Sequence, residues 1–127
     1  MEATKHLDEL HAESTEWVKN LRFFEDELKV MDSRLAEIVS ANNNRDVLAQ
    51  VEHFQNQFIL QQEVVDEVKH LSKLDDGYLA KNAQANPVAS DHRLFIDHDT
   101  LRDKYITFEK IYFELKHDFE SFLSKSL

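Results

Sequence analysis

The sequence predicts an all-α fold, an elongated antiparallel three-helix bundle running up-down-up with heptad-type packing. Three observations carry that expectation. Leu7, Leu10, Ser14, Trp17, Leu21, Phe24, Leu28, Met31, Leu35 and Ile38 follow one another in alternating steps of three and four residues, and all but Ser14 are apolar. An apolar repeat averaging 3.5 residues is the seam of a helix that packs lengthwise against other helices. A second such seam runs through Leu94, His98, Leu101, Tyr105, Phe108, Tyr112, Leu115, Phe119 and Phe122. Finally, Gly77 and Pro87 are the only glycine and proline in 127 residues, too little punctuation for a sheet or a turn-rich fold.

The first helix is expected from about Thr4 to Ala41, ending at Asn42-Asn43-Asn44, three residues that favour caps and turns over helix interiors. Asn43 or Asn44 can cap the next helix, which starts near Arg45. In that second helix Val47, Val51, Phe54 and Phe58 keep the rhythm. The apolar positions then become Leu60, Val64, Val65, Val68, Leu71, Leu74 and Tyr78, as in a stutter that rotates the seam around the helix.

Asp75-Asp76-Gly77 is the weakest stretch, a place for a break in helix two; the expectation is continuation with local weakness to Asn86. Pro87 stops the helix there, because proline disfavours helix at the residue before it. For the third helix, Ser90 and Asp91 are candidate caps, Thr100-x-x-Asp103 offers a later start, and the helix runs to about Ser124. The whole chain, 1–127, is read as a single domain. Its layout is similar to a single spectrin-type repeat, including a Trp in the first seam, but no family motif accompanies the likeness and no function is carried over.

Composition narrows function by exclusion. The formal net charge is −10, and Lys and Arg are scattered, so a general affinity for nucleic-acid phosphates is disfavoured. There is no cysteine for a disulfide, a thiolate metal site or a thiol nucleophile. The N-terminus lacks the basic and apolar regions of a signal peptide, and no apolar run approaches the ~20 residues of a membrane span. A cytoplasmic protein without a cofactor is the expectation.

The seven histidines are the obvious chemical signal. Glu67-x-x-His70 and Glu114-x-x-His117 have the spacing that di-iron bundles use, but Val68, Leu71, Leu115 and Phe119 hold the seams, so these pairs point outward. His70-Leu71-Ser72-Lys73 resembles the His-x-x-Lys-Gly of histidine phosphotransfer modules, except that Leu74 replaces the glycine and Asp75 and Asp76 would repel a phosphoryl group. One bundle end gathers His6, His11, His92 and His98 with Asp75, Asp76, Asp97 and Asp99. The plainer reading there is a polar bundle end with a hydrogen-bonded His98. Imidazole and carboxylate also suit zinc or a similar ion, with His6, His11, His98 and Asp75 as candidate metal ligands. No nucleophile–base pair and no glycine-rich phosphate loop is present, so no enzyme is expected.

Apolar residues that the seams do not need point elsewhere. Phe23 and Val30 share one outward heptad position of the first helix, and Ile106 and Phe113 share one of the third. An exposed apolar patch of this kind marks a protein contact. The sequence therefore predicts a non-enzymatic interaction or structural module with Phe23, Val30, Ile106 and Phe113 as its interface, by homodimerisation or to a partner helix. The alternative is a metal- or pH-responsive bundle working through the His/Asp-rich end.

Overall fold

A computed structural model describes the backbone of residues 2–85 and 87–126 and the side chains of residues 8–77 and 98–126. The chain forms three helices, α1 (Glu2–Ala41), α2 (Arg45–Ala85) and α3 (Pro87–Ser126), each pair of which packs together. At about 1.5 Å per residue each helix is roughly 60 Å long. Side-chain contacts fix the directions. Glu13 meets His98, Asn20 meets Tyr105 and Glu27 meets Tyr112, each 85 residues further on, so α1 and α3 run parallel. His11 meets Asp76 and Glu25 meets Lys69, so α2 runs against them.

In the turn between α1 and α2, two of the three asparagines each close one helix end. The Asn42 side-chain amide donates to the Ile38 carbonyl (3.1 Å), closing the end of α1. Asn44 Oδ1 accepts from the backbone N–H groups of Asp46 (2.8 Å) and Val47 (3.4 Å), which makes Asn44 the N-cap of α2. Asp46 stands in the first turn, where the helix dipole favours negative charge. The third helix starts earlier than either expected cap. Pro87 is its first residue, a position where the missing N–H costs nothing and the fixed φ suits the helix.

The first seam is the core. Leu10, Ser14, Trp17, Leu21, Phe24, Leu28, Met31, Leu35 and Ile38 are all buried, as are His98, Leu101, Tyr105, Phe108, Tyr112, Leu115, Phe119 and Phe122 of the third seam. Leu7, Tyr78 and Leu94 lie outside the described side chains. Aromatic rings fill most of the length. Phe54, Phe58, Phe119 and Phe122 cluster near the α1–α2 turn, with centroid separations of 5.1 Å for Phe54–Phe122 and Phe58–Phe119. Phe24, Phe108 and Tyr112 occupy the middle, and Trp17, His98 and Tyr105 stack further along.

The expected stutter in α2 is absent. Its buried positions are Val51, Phe54, Phe58, Gln61, Val65, Val68 and Ser72, followed by the nearly buried Asp75. The three-four rhythm thus continues unbroken, with polar residues taking the seam positions. Leu60 and Leu74, read from the sequence as seam residues, are instead exposed, and Val64 and Leu71 flank the core. Register is set by the whole length of the two neighbouring helices, and a rotation of α2 would have broken the packing of Val65 and Val68. The helix also continues through Gly77 without a break and with no positive φ.

Candidate functional site

Two features stand out once the core is accounted for: a buried charged cluster on His98 and an apolar stripe between α1 and α3. His98 occupies a seam position of α3 and is fully buried. Its Nδ1 lies 2.7 Å from Asp75 Oδ2 on α2 and its Nε2 lies 2.7 Å from Glu13 Oε1 on α1. Where both carboxylates are ionised they can only accept hydrogen bonds, so both ring nitrogens then donate and the ring is an imidazolium. One side chain thereby ties all three helices together.

The surroundings account for the stability of that charge. Burial alone would lower the pKa of His98, but the hydrogen bonds and charges of Asp75 and Glu13 outweigh it and carry the group above its ordinary value. For Glu13 burial acts to raise the pKa, and the hydrogen bonds and charges of Arg102 and His98 reverse this, leaving it below the usual carboxylate range. The Arg102 guanidinium grips Glu13 through Nε (3.0 Å to Oε2) and Nη2 (2.6 Å to Oε1), and reaches Asp99 one turn back on α3. Trp17 stacks on the imidazole at 4.9 Å and on Tyr105 at 5.5 Å. Tyr105 accepts from Asn20 and donates to Glu109; burial and then that second bond push it up to about 12.

Ser14 of α1, next to Glu13, and Ser72 of α2, one seam step before Asp75, adjoin this cluster. Both are fully buried, and their hydroxyls have no hydrogen-bond partner among the described residues. With His98 and Asp75 they make this stretch of the core polar, the kind of device that fixes helix register at a cost in stability.

Of the candidate metal ligands, His98 and Asp75 are bonded to each other, and the exposed His11 meets Asp76 at 3.1 Å. His6 lies outside the described side chains. Both nitrogens of His98 are already engaged, and among the described residues no group of three or more His, Asp or Glu side chains is arranged to hold a metal ion. The two Glu-x-x-His pairs are exposed on the outer faces; Glu67 pairs with Lys104 at 2.8 Å. Among the described residues no helix is long and apolar enough to cross a membrane.

The apolar stripe contains all four residues singled out from the sequence. Phe23 (58% exposed), Val30 (61%), Ile106 (55%) and Phe113 (49%) lie along the α1/α3 groove, on the sides that also carry the Glu13–Arg102 and Glu27–Lys116 ion pairs. The buried Phe24 connects them, meeting Phe23 at 6.0 Å and Phe113 edge-on at 5.7 Å. Beyond Val30 the groove deepens to a volume of about 390 Å³ floored by Met31, Phe119 and Leu123. The α2/α3 side exposes Leu60, Leu74 and Ile111 and has a groove of about 410 Å³ over Val64, Val68 and Phe108, bordered by the Lys104–Glu67 ion pair. On the α1/α2 side the groove is lined by Lys29, Asp32, Gln55, Asn56 and Gln62 together with Leu28, Phe58 and the exposed Ile59.

No family model, characterised protein or solved structure matches this chain. No relative therefore lends it an activity, and these two features are the ground for a functional reading.

Proposed function

We propose that the chain is a non-enzymatic interaction module that binds another protein through the α1/α3 face. The observation that supports this most is the exposure of Phe23, Val30, Ile106 and Phe113 along one groove. Together they leave roughly 400 Å² of apolar side chain in water, the scale of the largest patch a monomer carries and often a functional one. Among the described residues the grooves between helices are open rather than enclosed, a shape suited to an elongated partner.

The reading is tested by face-specific loss of binding. Wild type, Phe113→Glu and Ile59→Glu are compared for protein capture from the native cell, Ile59 being an exposed apolar residue of the α1/α2 side. A partner retained by wild type and Ile59→Glu but lost by Phe113→Glu supports the reading. Equal retention by all three contradicts it.

A second reading, a pH-responsive bundle, is favoured by the buried imidazolium between Asp75 and Glu13. Its loss of charge would loosen the end where all three helices meet. Hydrogen exchange around residues 98–105, compared at mildly acidic and alkaline pH, tests it. Unchanged protection removes the idea.

A further inference from the structure

The α1/α3 face has a charge pattern as regular as its apolar one. Along α1, Glu16, Phe23, Val30 and Glu37 recur every seventh residue, on one edge of the groove. Along α3, Asp99, Ile106, Phe113 and Glu120 recur in the same way on the facing edge. The parallel register of 85 residues sets Ile106 level with Leu21 and Phe113 level with Leu28. The four apolar residues therefore interleave in the order Ile106, Phe23, Phe113, Val30 over roughly 13 Å. Asp99 and Glu16 stand beyond one end of the stripe, Glu120 and Glu37 beyond the other.

Two of these acids are already paired on their own helices, Asp99 with Arg102 and Glu37 with Arg34. The other two, Glu16 and Glu120, are exposed and take part in no ion pair among the described residues. One unpaired acid thus remains at each end of the stripe, on a chain whose formal net charge is −10.

That pattern selects the occupant. The apolar stretch is about two and a half helical turns long, the length over which an amphipathic helix presents residues i, i+3 or i+4, and i+7. A second copy of this chain, in either orientation along the groove, would set acidic ends against acidic ends, and like charges across an interface oppose association. A helix with Lys or Arg at both ends matches them instead. Building on the α1/α3 reading above, we infer that this face takes one amphipathic helix of a partner protein, apolar in its middle turns and basic at both ends. The apolar middle supplies the desolvated centre of the contact, and the basic ends supply orientation and rate of encounter.

A displayed library of helix-favouring peptides of about 18 residues, selected on the intact protein, tests this. The expected outcome is enrichment of peptides with apolar residues at helical spacing and Lys or Arg at both ends. Their binding should fall at least about tenfold on Phe113→Glu and on the double variant Glu16→Lys/Glu120→Lys, and weaken with added salt. Circular dichroism of both variants should match wild type, so that loss of binding is not loss of fold. Peptides that require Phe113 but carry neutral or acidic ends, and bind the double variant equally well, overturn the charge rule while leaving the face intact. Peptides insensitive to Phe113→Glu overturn both, as does failure to enrich any. Self-association by light scattering that Phe113→Glu abolishes would identify a second copy as the occupant and overturn the inference.

Discussion

His98 of α3 and Asp75 of α2 share a 2.7 Å hydrogen bond in the core, and the same imidazole reaches Glu13 of α1 at the same distance. Charge at this one ring is therefore coupled to the closure of the whole bundle end, and stability must follow its protonation.

The sign follows from the two shifts. His98 is raised above 6.5, so its contribution is fully present below that value and is lost as pH rises through the folded-state pKa. Glu13 is lowered below 4.5, so its contribution is present above that value and is lost as pH falls through its own folded-state pKa. Thermal stability should peak on the mildly acidic side of neutral and decline as pH rises beyond the ordinary imidazole range. His98→Gln should flatten the alkaline decline and lower the peak. An unchanged alkaline limb in that variant would show that the imidazolium is not its source.

Gln61 holds a seam position of α2, and its buried Oε1 has no partner among the described residues. An unsatisfied carbonyl in the core costs about 1–3 kcal/mol. Gln61→Leu removes that cost and adds apolar contact, so chemical denaturation should report a gain of about 1 kcal/mol or more. A loss would mean that the amide makes a contact worth more than the orphaned oxygen costs.

Gly77 lies inside α2 with ordinary helical φ, and a Cβ there would meet nothing within 4 Å. Gly77→Ala should stabilise the bundle by about 0.5–1 kcal/mol, through backbone entropy and helix propensity. No change in the denaturation midpoint would count against a continuous α2.

The aromatic layers differ in what they hold. Phe24→Ala should cost about 3–5 kcal/mol, since it empties a buried site between α1 and α3. Phe113→Ala, outside it, should cost less than about 1.5 kcal/mol. Equal losses would place Phe113 in the core rather than at a docking face.

The fold was legible in the sequence where apolar residues marked the rhythm, as in the seams of α1 and α3. It is not legible from hydropathy in α2, where Gln61, Ser72 and Asp75 carry the rhythm and Leu60 and Leu74 do not. Hydropathy alone follows the leucines, whereas counting steps of three and four onward from Phe58 reaches Gln61, Val65, Val68, Ser72 and Asp75 in turn. That same count would have found the polar stretch of the core, since Ser14 and His98 were already in their seams. Glu13 and Arg102 flank the seams of α1 and α3, and their pairing depends on the relative register of two helices, which neither seam specifies alone. The exposed stripe was legible because its residues share heptad positions. Its acidic ends occupy those same positions one heptad away and draw notice only once α1 and α3 are seen side by side.

The most direct test of the α1/α3 face is chemical-shift mapping of the isotope-labelled protein as a selected basic-ended peptide is added. Changes centred on residues 16–37 of α1 and 99–120 of α3, with the outward residues of α2 unmoved, are the predicted result. Changes centred on the outward residues of α2, with Phe23 and Phe113 silent, would contradict it.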